Sequence, residues 1–187
     1  MKISKIFGRE ILDSNGIPTV MCVLQLDNGS VVTSTVPSGA STGIFEAIEL
    51  RDGDKNRFLG KGVLKAIENL EQKIAPELIG KTPQLINMDK LIIDIDGTEN
   101  KSNLGANATL AASIAIARAQ AIDSGVELYE LINQVFEIGP TAFPLCMFNI
   151  LNGGVHADNG VAFQEFMILP KKQGSMQKTV QAACEIY

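Results

Sequence analysis

The stretch VMCVLQLDNGSVVTSTV (residues 20–36) predicts an antiparallel β-hairpin. Apolar and β-branched residues lie on both sides of the sequence DNGS (27–30), where Asn and Gly tolerate the positive φ angles that a tight turn requires. A second isoleucine-rich segment, KISKIFGREIL (2–12), precedes the hairpin and also indicates a strand. Residues 3–36 are therefore expected to form a three-stranded antiparallel meander.

Four segments with helical periodicity follow these strands. The first, residues 62–80, contains Pro76, which is expected to end or kink it because proline lacks a backbone N–H. Its predicted apolar face consists of Leu64, Ile67, Leu70 and Ile74. The other predicted helices span residues 83–96, 107–125 and 126–136. Strands followed by a set of helices predict an α+β domain.

A change of composition near EIGPTAF (137–143) divides the chain into two predicted domains, residues 1–138 and 139–187. The second domain begins with a predicted strand at 144–151 and a glycine-rich loop, followed by a strand at 163–170 and a helix from Ser175. An order of strand, loop, strand and helix is typical of the start of a larger α/β domain. The chain is therefore expected to be truncated.

Bulk composition excludes several classes of partner. The 187 residues carry a formal net charge of −5 without any basic stripe, so nucleic acid is not an expected partner. The longest strongly apolar stretch, LAASIAIA (110–117), is too short to span a bilayer, so no membrane association is expected. Three widely spaced cysteines predict reduced and mostly buried thiols, and with them a cytoplasmic location.

Two loops have compositions that suggest function. The sequence PSGASTG (37–43) contains only small residues and proline, which suits either a flexible connector or a lid over a ligand. The sequence NGGVHADNG (152–160) holds His156, the only histidine in the chain. A lone loop histidine is either a solvated side chain or a hydrogen-bond donor to an anion, since imidazole titrates near neutral pH.

The chain resembles the N-terminal part of enolase. The strings that carry the resemblance run in the family's order along the whole chain: REILDS (9–14), VPSGASTG (36–43), ELRDGD (49–54), LGKGVLKAIEN (59–69), DGTENKSNLGANA (96–108), FNILNGGVHADN (148–159) and FQEFMILP (163–170). The resemblance implies an α+β N-terminal domain, with a three-stranded meander and helices, followed by the first strands of a (β/α)-type barrel. It also implies a lyase that interconverts 2-phosphoglycerate and phosphoenolpyruvate.

The resemblance further implies roles for particular residues. Ser41 would be a ligand of one of two Mg²⁺ ions, which in this superfamily stabilise an enolate beside a Lys or His base. Gly39 and Ala40 would bring backbone close to the substrate. His156 would lie on a second loop that closes over the phosphate or leaving-group side, and it would be both a catalytic and a substrate-binding residue. Gln164 and Glu165, which follow that loop, would also bind substrate. Glu165 would in addition be catalytic.

The resemblance implies a homo-oligomer, and it places the lysine base, the principal acid and the carboxylate ligands of the tighter Mg²⁺ beyond the matched segments. Residues 1–187 alone are therefore expected to be inactive. Enolases usually read DSRGNPTVEVE where this chain reads DSNGIPTVMCV, so Asn15, Ile17 and Met21 remove polar or charged groups from strands that face the partner subunit in the family. Phe45 stands where the family has histidine. A divergent, non-catalytic binding or scaffold protein is the alternative hypothesis.

Overall fold

The computed structural model describes residues 1–37, 43–154, 157–171 and 174–187. The chain forms two compact units, Met1–Gly139 and Pro140–Tyr187, and each is described here by itself.

The first unit opens with the expected antiparallel meander. Its strands are β1 (Ile3–Leu12), β2 (Pro18–Leu26) and β3 (Val31–Thr35), arranged in the order β1-β2-β3. In the turn between β2 and β3, the Asn28 Oδ1 accepts from the Ser30 N–H at 2.9 Å, and Gly29 has a φ of 88°. The side chain of Asn28 and the conformational freedom of Gly29 thus close the hairpin that the DNGS sequence predicts.

Helices follow in each of the four predicted segments. Their bounds are α1 (Leu64–Asn69), a π-helical turn (Leu70–Ile74), α2 (Ala75–Leu78), α3 (Leu85–Asp96), α4 (Ala106–Ser124) and α5 (Leu128–Phe136), preceded by a 3₁₀ turn (Phe58–Gly60). Helix α4 packs across β2 and β3. The side chains on its buried face are small, which allows close approach to the sheet: Ala108, Ala111, Ala112, Ala115 and Ala119.

The expected disturbance at Pro76 takes the form of the π-helical turn directly before it. Proline has no N–H to donate, and the helical run continues through it to Leu78 with a wider turn on its N-terminal side. The prediction of a buried Leu64 is wrong, because this side chain is 49% exposed. Its N–H donates to the Asp52 carboxylate at 3.0 Å, so the first turn of α1 is bound by a residue of the preceding loop. Deeper in the run, Leu70 and Ile74 are fully buried as expected.

The cysteines differ from one another in burial. Cys22 on β2 is fully buried, and burial raises the pKa of its thiol to about 12, so it is a neutral apolar group at physiological pH. Cys184 is exposed and Cys146 is half-buried, so the expectation of burial is wrong for Cys184. It lies in the last helix of the chain, Met176–Ile186.

A carboxylate on β1 holds the loop before α1. Glu10, whose side chain is 12% exposed, accepts a hydrogen bond from Arg57 Nη1 at 2.9 Å and pairs with Arg57 Nη2. It also accepts from the Val63 N–H at 2.9 Å. The hydrogen bonds from Arg57 lower the pKa of Glu10 below its ordinary value, although burial acts in the opposite direction. The ionised form of Glu10 is therefore the form that the fold stabilises.

Glu10→Gln is expected to lower the free energy of unfolding at pH 7 by about 2 kcal/mol, the range for hydrogen bonds to a charged group. Because the folded-state pKa is depressed, this contribution is present above the ordinary pKa of 4.5 and is lost as pH falls through the folded value. Urea unfolding between pH 3 and 7 measures it. The variant should show a flatter acid limb, whereas Glu77→Gln, at an exposed position on α2, should keep the wild-type slope. Equal slopes in all three proteins would contradict the assignment.

The second unit contains β4 (Phe148–Asn152) and β5 (Glu165–Ile168), paired antiparallel, and α6 (Met176–Ile186). Both strands are shorter than predicted. The last pair is Phe148 with Ile168, and Pro170 has no N–H with which to extend the ladder. Ser175 caps α6, since its hydroxyl accepts from the Lys178 N–H at 3.3 Å. None of the described helices in either unit is long and apolar enough to cross a membrane.

Candidate functional site

Four of the predicted site residues lie outside the residues that the structure describes: Gly39, Ala40, Ser41 and His156. Their predicted roles stay predictions. Gln164 and Glu165 are described and exposed; Glu165 is the first residue of β5, and Gln164 directly precedes it.

The two ends of the loop between β4 and β5 meet at one edge of the strand pair. Asn152, the last residue of β4, pairs with Glu165, the first residue of β5. The Gly153 N–H donates to the Gln164 carbonyl at 2.9 Å, which extends the ladder by one bond. Gln164 and Glu165 are therefore held at the base of the loop, beside the point where β4 ends.

Gly153 is buried at this loop base and leaves no room for a side chain. A Cβ atom there would lie 2.4 Å from the Phe163 carbonyl oxygen and 2.7 Å from that of Val161. Two backbone segments can approach this closely only where one of them carries glycine. On the return side, Phe163 and Phe166 form an edge-to-face pair with centroids 5.9 Å apart. The base of the loop is thus fixed by backbone packing as well as by pairing.

The segment that leads to the other predicted loop is attached to the fold at both ends. On the β3 side, the Val36 N–H donates to the Val20 carbonyl at 3.1 Å. On the other side, the side chain of Asn107 binds both backbone groups of Leu50, accepting from its N–H at 3.2 Å and donating to its carbonyl at 3.0 Å. Asn107 is 1% exposed, so its amide depends on these partners. Between the attachments, Phe45 is 96% exposed.

Sequence reasoning missed the structural role of Asn107. The signal available was an amide residue in the first turn of a predicted alanine-rich helix, in the string LGANA. Asn is uncommon inside helices because it competes for backbone groups, and here it binds the backbone of a distant segment. The partner, Leu50, lies 57 positions earlier and could not be identified from the sequence.

The described residues contain no group of three or more His, Cys, Asp or Glu side chains close enough to hold a metal ion. Glu165 is the carboxylate at the loop base, and Mg²⁺ is usually bound by one or two carboxylates together with waters and substrate oxygens.

Comparison with protein families gives two matches, which follow one another along the chain. Residues 3–132 match the family model of the enolase N-terminal domain, and residues 140–187 match that of the enolase C-terminal TIM barrel domain. The protein therefore has an α+β domain, made of a three-stranded meander and helices, which is followed by the first strands of a barrel. This architecture confirms the fold class predicted from the sequence. The chain belongs to the enolase family, and this membership supports an enolase-like lyase.

Proposed function

We propose that the chain is part of an enolase that reversibly dehydrates 2-phosphoglycerate to phosphoenolpyruvate. The observation that carries this proposal is the pair of enolase domain matches, which together cover residues 3–132 and 140–187 in the family's order. The exposed pair Gln164 and Glu165 supports it, because it lies beside the carboxyl end of β4, and barrel enzymes bind their substrates at the carboxyl ends of strands.

Glu165 is the described residue to which we assign chemistry. The reaction removes a weakly acidic proton beside a carboxylate and expels hydroxide from the adjacent carbon. In this proposal, Glu165 hydrogen-bonds the departing hydroxyl group or its water, and Gln164 hydrogen-bonds the substrate. Both are attached to the same loop base, so their position relative to the end of β4 is set by the pairing of β4 with β5. His156, Gly39 and Ala40 complete the contacts proposed for this chain.

Two Mg²⁺ ions are part of the proposal, with Ser41 as a ligand of one of them. The hydroxyl of serine is a hard oxygen donor of the kind that Mg²⁺ prefers, and the resemblance to enolase places the carboxylate ligands of the tighter ion beyond the matched segments. When bound, divalent cations offset the negative charge that develops on an enolate. We also propose a cytoplasmic homo-oligomer without nucleic-acid or membrane partners, in line with the acidic charge of the chain.

The test is an activity assay on the complete natural protein. Phosphoenolpyruvate formed from 2-phosphoglycerate in the presence of Mg²⁺ is detected by its absorbance. Glu165→Gln is expected to lower kcat about a hundredfold, a typical contribution of a group that assists proton transfer. The matched control is Glu185→Gln on α6, an exposed carboxylate that should leave kcat unchanged.

The outcomes separate the proposals. No product at high concentration of the wild-type protein contradicts the enolase reaction and favours the non-catalytic binding or scaffold protein. An active wild type with an equally active Glu165→Gln variant contradicts only the role of Glu165.

A further inference from the structure

The loop motif contains an asparagine whose side chain joins the two sides of the loop base. Asn159 donates from its Nδ2 to the Asn152 carbonyl at 2.8 Å. Its Oδ1 accepts from the Val161 N–H at 3.1 Å. Asn152 is the last residue of β4, whereas Val161 lies in the irregular segment that leads into β5, so one amide group binds both sides of the loop.

Each partner of Asn159 is connected to the residues that begin β5. Asn152 pairs directly with Glu165. The Val161 carbonyl accepts from the Gly154 N–H at 2.7 Å, and the neighbouring Gly153 N–H donates to the Gln164 carbonyl at 2.9 Å. Asn159 is therefore connected to Glu165 through the strand pairing of Asn152. It is connected to Gln164 through the two backbone hydrogen bonds of Gly153 and Gly154.

The close packing at Gly153 makes this connection stiff. The position that a Cβ would occupy lies 2.4 Å from the Phe163 carbonyl and 2.8 Å from the Val161 Cβ. With so little free space, a displacement of Val161 is transmitted to Phe163 and Gln164 and is not absorbed by a gap. Asn149 adds a second amide contact on the β4 side, donating from its Nδ2 to the Asn152 Oδ1 at 2.5 Å.

We propose that Asn159 is a positioning residue, which fixes Gln164 and Glu165 at the base of the loop without touching substrate itself. This inference rests on the proposed function for its catalytic consequence. The ordinary alternative is that Asn159 only shapes a local turn through its bond to Val161. That bond has a counterpart at Asn28, whose Oδ1 accepts from the Ser30 N–H two residues later, at 2.9 Å. Asn159 differs in its additional donation across the loop to Asn152.

The test compares Asn159→Ser with Asn28→Ser in the complete natural protein. Serine is neutral and still accepts a bond from the N–H two residues later, but its hydroxyl is too short to reach Asn152. Amide hydrogen exchange at Gly153 and Gly154 reports on the loop base without substrate. In Asn159→Ser this exchange is expected to be about fivefold faster, the effect of one lost hydrogen bond on local opening. In Asn28→Ser it should be unchanged.

Steady-state kinetics on the same variants test the positioning of the reacting groups. Asn159→Ser is expected to lower kcat about tenfold or more while KM changes less, since a small misplacement of a reacting group acts mainly on the transition state. Thermal unfolding of the two variants should differ little, because Asn28→Ser keeps its turn hydrogen bond and Asn159→Ser loses only one exposed contact. A loss of kcat in Asn28→Ser as large as that in Asn159→Ser would indicate a general effect on stability.

Different results would overturn the structural role of Asn159 and its effect on catalysis. Unchanged exchange at Gly153 and Gly154 in Asn159→Ser overturns the positioning role, whatever the activity. Faster exchange with a wild-type kcat overturns the catalytic consequence. A wild-type protein that forms no phosphoenolpyruvate overturns the proposed function, and the exchange data then decide alone whether Asn159 holds the loop base.

Discussion

Limited proteolysis is expected to leave a resistant fragment that ends near residue 139, while residues 140–187 are digested at least about a hundredfold faster. The reason is the different free energy of local opening in the two compact units, Met1–Gly139 and Pro140–Tyr187. Cleavage by a protease added at low concentration follows the population of open states, so it measures this difference directly.

The first unit has an extensive core formed by its sheet and its helices. Large side chains from separate elements are fully or almost fully buried together: Ile3, Leu24, Leu26, Leu70, Ile74 and Ile116. Domains of this size typically unfold at a cost of about 5–15 kcal/mol, and an internal bond is cut only as often as such opening occurs. Residues 1–139 should therefore resist digestion and unfold cooperatively when expressed alone.

The second unit has little buried surface. The buried residues among those described are Gly153, Pro170 and Ala183. Large apolar side chains are exposed on its strands and connections, including Phe143 at 78% and Phe163 at 72%. A pair of strands with one helix and no apolar core is marginally stable in water, and both strands present unpaired edges. Its opening should be frequent enough for rapid cleavage.

Mass spectrometry of the digest identifies the first cuts. The control is residues 1–139 expressed alone, which should give the same resistant fragment and the same melting temperature as this unit in the longer chain. Equal protease resistance along all of residues 1–187 would contradict the expectation and would mean that the second unit has stabilising partners in this chain.

The parts of the fold that the sequence predicts correctly depend on short-range signals. The hairpin follows from four consecutive residues, 27–30, and the helices follow from apolar repeats within about two turns. The exposure of Leu64 could not be predicted in this way, because it depends on which elements cover the start of α1. The contact that the structure shows there, between the Leu64 N–H and the Asp52 carboxylate, joins residues twelve positions apart. Periodicity identifies a helix face but not the element that covers it.

The candidate site shows the same limit. Gln164 and Glu165 were assigned from a resemblance, and the structure adds that they share a loop base with Asn152. The cross-loop bonds of Asn159 join residues that are close in space because the loop folds back on itself. Nothing in the local pattern separates such an asparagine from one that only forms a turn, as Asn28 does. Three-dimensional contacts were needed to distinguish them.

Gly105→Ala is expected to lower the free energy of unfolding of the first unit by about 3–5 kcal/mol, because a strained backbone conformation and an overlap of atoms act together. Gly105 directly precedes α4 and has a φ of 94°, which L-residues rarely adopt. A Cβ there would lie 2.6 Å from the Asn107 Oδ1 and 2.6 Å from the Leu50 Cβ. Neither neighbour can move without cost.

The cost of movement comes from the hydrogen bonds around this position. Asn107 is buried and binds both backbone groups of Leu50, and the Ala106 N–H donates to the Ile48 carbonyl at 2.8 Å. If the added methyl group pushes Leu50 away, the buried amide of Asn107 loses its partners, and an unsatisfied buried amide costs about 1–3 kcal/mol. If Leu50 stays, the overlap remains. Either response destabilises the junction between residues 48–50 and α4.

The matched control is Gly29→Ala, since Gly29 also has a positive φ, 88°, but a Cβ there would meet nothing within 4 Å. It should lose only the conformational contribution, roughly 1 kcal/mol. Thermal unfolding of residues 1–139 measures both variants, and a difference of a few kcal/mol corresponds to roughly 10 °C in Tm for a domain of this size. Equal losses in the two variants would mean that the positive φ angle accounts for the whole effect, and that the contact between Asn107 and Leu50 yields to an added methyl group at little cost.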